Sequence, residues 1–325
     1  MHIILVYVKN APKHAHHDKE TPNKGWPGGI GEQAGKGDSM AIISISRGTF
    51  SGGESLAECV ASKLGYHRIN GEVLGETARE YGITEEKLSE AIGEAPGVME
   101  RHLSEKKRCL TCFRAALINE VKDENAVYHG HAGHFFLDGV PHLIKVKVIA
   151  SMEFRIRMLT EHSNLTREEA IHLIKTLDER RLRWTRSLYH VDWNNPSLYD
   201  VILDLDQVTL SGACDIVCNT ASMGRYNVTL ESRQAMEDLA LSAHLQALVS
   251  NSRSISGAKN VKIKADGGVV TLEGTVDSIV DADRVRMLVR KTPGVKEINS
   301  RMKVRLWGIP SLRFGRRPRL DGLHV

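Results

Sequence analysis

The chain has 325 residues, 41% of them hydrophobic and 26% charged, with a formal net charge of +4. That length holds about two domains, each able to bury its own core. The mild basic excess suits anionic ligands without requiring nucleic acid or a membrane surface. No apolar run approaches the ~18 residues of a membrane-spanning helix. Met1 to Val8 is apolar but short, lacks a basic lead and meets no small-residue cleavage site, so it does not read as a secretory signal. Five cysteines, mostly at helical spacing, are expected as reduced thiols in a cytoplasmic protein.

Residues 1–39 carry His14, His16, His17, several lysines and a glycine-rich run, with few positions able to form a core. This segment is expected to be disordered, and Met40, just before the first strand, is a candidate native start. Ala41 to Ile45 is a short apolar strand. A glycine- and serine-rich turn follows, and then Leu56, Ala57, Val60, Ala61 and Leu64 at the spacing of a helix with one buried face. Strand, glycine loop and helix form a phosphate cradle: glycines let the backbone wrap an anion, and the helix start offers N–H groups and a positive dipole end. The stretch Gly48, Thr49, Phe50, Ser51, Gly52, Gly53, Glu54, Ser55 has phosphate-loop spacing, but Glu54 stands where a lysine belongs.

Helices are expected over 55–64, 71–81, 84–92, 98–122, 152–162, 166–189 and 208–220. Strands are expected at 126–130, 143–150 and 199–204, with a short extended piece before Asn70. Thr166-Arg-Glu-Glu169 is a capping box for the longest helix. This alternation argues for an α/β fold with a parallel sheet covered on both faces. Beyond residue 225 the texture changes to a helix at 231–250, a hairpin turning at Asp266-Gly-Gly268, a helix at 277–291 and a last strand. That is a separate small α+β module, followed by a basic, mobile tail from Leu306.

His129, His131 and His134, at spacings of two and three, read as surface or hydrogen-bonded groups in preference to a metal site. Cys109-x-x-Cys112 and Cys214-x-x-x-Cys218 lie among apolar helical neighbours, and buried inert thiols are expected there before a zinc site.

The set Ile43-Ser-Ile-Ser-Arg47, Ser51-Gly-Gly53, Leu64-Gly-Tyr66, Val127-Tyr-His-Gly130, Lys175-x-x-Asp178-x-x-Arg181 and Asp192-Trp193-x-x-Pro196-Ser-x-Tyr199-Asp200 resembles the cytidylate kinase-like family of P-loop nucleoside monophosphate kinases. The resemblance implies a P-loop kinase-like domain over 40–222 that uses ATP and Mg²⁺ to phosphorylate a nucleoside monophosphate such as CMP. It implies a nucleotide cradle at Gly48 to Ser55, with the Ser55 hydroxyl toward Mg²⁺. Arg47, Lys175, Asp178, Arg181 and Arg183 would serve catalysis, with Arg180 and Arg186 on the same lid helix. Asn70, Gly130 and His131 would face the acceptor. Relatives tend to carry arginine in place of Glu54, an acid in place of Asn70 and arginine in place of His131. Those three departures favour an alternative, a catalytically silent nucleotide sensor or interaction protein.

Val261-x-Ile263, Gly268-Val-Val-Thr-Leu-Glu-Gly274 and Gly294-Val-Lys-Glu-Ile298 are similar to the BON domain, here over 232–305. That resemblance implies a non-catalytic module binding a phospholipid surface or small ligand, with 306–325 as the flexible tail. Nucleic-acid binding has only the mild basicity behind it, since no aromatic-studded basic sheet is evident.

Overall fold

A computed structural model describes residues 41–305, apart from 70–71, 94–99, 124, 131–132, 162, 253, 256–257 and 259. The expected leader and tail lie outside these residues, as do Asn70 and His131. Strands β1 (Ile42–Arg47), β2 (His67–Ile69), β3 (Ala126–His129), β4 (Leu143–Ile149) and β5 (Val201–Asp204) form one sheet in the order β2-β3-β1-β4-β5. All four pairings are parallel. The helices between them are α1 (Gly53–Leu64), α2 (Glu72–Tyr81), α3 (Glu85–Gly93), α4 (Glu100–Val121), α5 (Gly133–Phe136), α6 (Met152–Thr160), α7 (Arg167–Tyr189) and α8 (Leu210–Ala221).

Because side chains alternate across a strand, β1 feeds two cores. Ile43 and Ile45 join Leu56, Ala57, Val60 and Ala61 of α1 and Ala213 and Val217 of α8 on one face. Burying each Leu or Val of this set contributes about 1.5–3 kcal/mol. Ile42 faces the other way, into a core containing Phe113, Leu117, Phe136 and Trp184. The expected capping box is present: Thr166 Oγ1 accepts from Glu169 N at 3.3 Å, and the Glu169 carboxylate accepts from Thr166 N at 2.8 Å. The short helix α5 has no periodic signal in the sequence. Gly133 opens it where a Cβ would sit 2.4 Å from the Tyr128 ring and 2.6 Å from Ser44 Oγ, so only glycine fits.

The cysteine expectation is corrected in part. Cys59 of α1 and Cys214 of α8 form a disulfide, with Cα atoms 6.1 Å apart. Both helices cover the same face of β1, which brings together residues 155 apart in sequence that spacing alone could not pair. Cys109, Cys112 and Cys218 are buried free thiols, as expected.

The C-terminal part contains α9 (Leu230–Asn251), β6 (Lys262–Asp266), β7 (Val269–Val276), α10 (Ile279–Arg290) and β8 (Glu297–Val304). The β6–β7 hairpin is antiparallel and turns at Gly267 and Gly268, with φ of 58° and 88°. The second position requires glycine, since a Cβ at Gly268 would lie 2.9 Å from Gly294 O. β8 then returns parallel to β7, and its core holds Val270, Leu272, Val276, Val285 and Val289.

Candidate functional site

β1 sits between β3 and β4, so the loop after it opens at the carboxyl edge where the chain changes sides of the sheet. Such a switch point is where open α/β sheets bind ligands. The loop is anchored from beneath: Gly48 N donates to Val148 O at 3.1 Å, and Ser51 Oγ donates to Gly48 O at 3.0 Å and Val148 O at 3.3 Å. Gly52 takes a left-handed conformation at φ 80° as the N-cap of α1 and supplies no side-chain cap. The first-turn N–H groups of α1 are therefore left to an external acceptor, the geometry that favours an anion. Gly53 is forced by close approach, because a Cβ there would lie 2.7 Å from Arg47 Cβ and Cδ.

Phe50 holds φ 58° without being glycine and packs against Ile156, Leu159, Ala170 and Ile174 of α6 and α7. A bulky residue in that region costs on the order of 1–3 kcal/mol, here offset by apolar burial. Polar contacts bind the same two helices to the loop. Thr49 Oγ1 donates to Asp178 Oδ1 at 2.8 Å, and Thr49 N donates to the same oxygen at 3.4 Å. Arg155 of α6 donates through Nε to Thr49 O at 2.7 Å and through Nη2 to Asp178 Oδ2 at 2.6 Å. Arg181 Nη1 reaches Arg47 O at 3.1 Å. Burial, with Arg47 and Arg155 close by, lowers the Arg181 pKa to about 9, so it stays charged at neutral pH. Two guanidinium groups from other elements thus reach the loop backbone, Arg155 paired with the Asp178 carboxylate and Arg181 set beside it.

Glu54, the residue that broke the motif, is exposed in the first turn of α1, as is Ser55. Lys175 and Arg183 are exposed on α7, and Arg186 pairs with Asp192 at 3.0 Å. Gly130 follows β3 and donates its N–H to Ile45 O at 3.2 Å, beside the end of β1. Two of the three histidines, His129 and His134, fall among the described residues. His134 is 5% exposed, its Nδ1 bonded to Ser46 Oγ at 2.9 Å, and burial drives its pKa down to about 3. His129 is depressed to about 3 as well, by burial and then by Arg47 and Arg68, and it projects to the opposite face of the sheet. Among the described residues no group of acids, histidines or cysteines could hold a metal ion.

Two residues of the site escaped sequence reasoning. Arg155 carried no motif; the available signal was positional, since β4 lies in parallel register with β1 and the helix after it must start beside the loop. Lys147 stands opposite Ser46 in β4 and is 4% exposed. Its ammonium donates to Trp193 O and Asn194 Oδ1, both at 3.0 Å, and lies 4.6 Å from the Trp193 ring centroid. Burial lowers its pKa. Tyr199 Oη donates to the same Trp193 carbonyl at 2.7 Å. The Asp192 to Asp200 string is thus a clamp that closes the end of α7 onto the sheet.

A five-stranded parallel sheet in this order, with a glycine loop after its central strand and an arginine-bearing helix over that loop, defines a P-loop kinase-like fold. Residues 42–207 match the cytidylate kinase-like family, and the chain belongs to it. Residues 237–305 match the BON domain. The chain is 24% identical over 164 residues to a cytidylate kinase of Methanothrix thermoacetophila, covering 50% of this chain and 87% of that protein. It is 25% identical over 195 residues to a cytidylate kinase of Archaeoglobus fulgidus, covering 57% and 97%. Among solved structures, shikimate kinase from Bacteroides thetaiotaomicron aligns at 14% identity and a TM-score of 0.35, covering 56% of this chain and 99% of that one.

Proposed function

We propose that residues 41–222 bind ATP and transfer its γ-phosphoryl group to a nucleoside monophosphate of the CMP class. The observation carrying this reading is the pair of guanidinium groups on the loop backbone, together with the exposure of Glu54. A carboxylate ~4 Å from a phosphate oxygen would repel it by about 4 kcal/mol at an effective dielectric near 20. In solvent that repulsion is screened, while Arg155 and Arg181 come from other elements to supply positive charge. An acceptor phosphate oxygen forms the new bond to the γ-phosphorus as its bond to the β–γ bridging oxygen breaks, and ADP leaves with that electron pair. Arg155 and Arg181 hold the phosphate oxygens in line and offset the charge that shifts to the bridging oxygen. The uncapped start of α1 fits a phosphate group, and the Ser55 hydroxyl in its first turn fits Mg²⁺. When bound, Mg²⁺ supplies further charge neutralisation.

A second reading, nucleotide sensing without turnover, is favoured by Asp178, whose carboxylate already occupies the Thr49 N–H and hydroxyl donors. Calorimetric titration with Mg·ATP, followed by measurement of ADP production with each nucleoside monophosphate, separates the two. Turnover that survives Glu54→Ala and is lost in Arg181→Ala supports the kinase. Binding without turnover supports the sensor, and no binding at millimolar nucleotide refutes both.

A further inference from the structure

Helix α9 belongs to two cores at once. Met236, Ala243 and Ala247 are buried in the core of the kinase-like domain, with Leu239, Ala240 and Leu248 packed beside them. Leu245 and Val249 are buried in the core of the small domain, with Leu241 beside them. The first stripe runs at intervals of three and four and the second at intervals of four, so each is a separate face of one helix.

Each face is also tied by hydrogen bonds. Toward the kinase-like domain, Asn251 Nδ2 donates to Tyr81 O at 2.8 Å, and Arg108 Nη1 donates to Asn251 Oδ1 at 2.6 Å. His244 lies 3.2 Å from Glu80. Toward the small sheet, Asp238, Ser242 and Gln246 form an i, i+4, i+8 row along the edge strand β6. Gly267 N donates to Asp238 Oδ2 at 3.1 Å, Ala265 N to Ser242 Oγ at 2.8 Å and Ile263 N to Gln246 Oε1 at 3.2 Å. Gln246 Nε2 returns a bond to Val261 O at 2.9 Å. The row satisfies an edge that would otherwise present bare N–H groups.

The kinase-side partners of α9 also touch α7. Trp184 of α7 is fully buried in the same core and donates from Nε1 to Ala91 O of α3 at 2.9 Å. An α9 that moves with the small sheet must repack α4, and α4 shares its core with the helix that carries Asp178 and Arg181.

We propose that the BON domain is a regulatory input to the nucleotide site, coupled to it mechanically through the shared helix α9. Rigidifying or shifting the small sheet changes nucleotide affinity, and nucleotide binding changes the small sheet by the same factor. The nucleotide half of this inference rests on the function proposed above. Hydrogen exchange of the full chain, with and without Mg·ATP plus CMP at concentrations that calorimetry shows to be saturating, tests it. Slowed exchange in α9 and β6 as well as in the loop is expected, and protection confined to residues 41–222 overturns the coupling. If calorimetry detects no binding, the proposed function fails, and two variants then judge the coupling without nucleotide. Val285→Ala, deep in the small core, and Ser242→Ala, which deletes one bond to β6, should speed exchange in α4 as well as in α9. Acceleration confined to 252–305 in both variants overturns it.

Discussion

Reducing the Cys59–Cys214 disulfide removes a crosslink between residues 155 apart in sequence. In the chain-entropy description, closing a loop of that length lowers the entropy of the unfolded chain by about 17 cal/mol/K, or about 5 kcal/mol at 25 °C. The native side of the balance changes little, because Cys214 is held in a packed core with Val60, Ala61 and Val217 whether or not its sulfur is bonded. The stabilisation therefore acts mainly through the unfolded state. Urea unfolding followed by tryptophan fluorescence, with and without a phosphine reductant, should show a loss near that size, equivalent to roughly 10–20 °C in Tm. Cys59→Ser should reproduce the reduced curve without reductant. Alkylation of the unreduced, denatured protein should modify three thiols, and five after reduction. Five reactive thiols before reduction, or coincident unfolding curves, would refute the reasoning.

Arg155→Ala should weaken Mg·ATP binding at least tenfold and cost about 3 kcal/mol of stability, because it strands the partly buried Asp178 carboxylate; calorimetry and urea midpoints measure both. Gly52→Ala forces a left-handed residue to carry a Cβ 2.8 Å from Leu205 Cδ1, so it should cost at least about 1 kcal/mol and lower nucleotide affinity, checked by the same two measurements. His134 sets an acid limit. Its folded pKa of about 3 lies below the unfolded value near 6.5, so the unfolded chain binds the extra proton as pH falls through that window. Its contribution is complete above about pH 6.5 and should shrink by about 2 kcal/mol between pH 7 and pH 5, with His129 acting in the same direction. Urea midpoints at the two pH values test this, and His134→Gln should flatten the difference.

The phosphate-loop segment and the long helix α7 were legible because each is local. The turn from Gly48 to Gly53 reads from glycine spacing, and Thr166-Arg-Glu-Glu169 announces the start of α7 through bonds spanning three residues. Helix α5 was not legible, because its glycine answers to Tyr128 and Ser44 and not to any neighbour in the helix. The cations beside the loop were not legible for a related reason. Glu54 is adjacent to the loop in sequence but exposed in space, whereas Arg155 is 106 residues from Thr49 and bonded to it. Of the two alternatives expected for the histidines, surface or hydrogen-bonded, His134 takes the second; burial and its Ser46 partner are set by elements far apart in sequence.

What the sequence alone determined is the order of elements, the family, the two kinds of sheet and the position of the loop. These follow from periodicity, glycine placement and caps, whose interactions span a few residues. Only the tertiary structure decided which cations meet the loop, which cysteines pair and that α9 serves two cores. Each of those depends on residues brought together by burial of separate helix faces, and the energy that selects them is realised only when the whole chain packs.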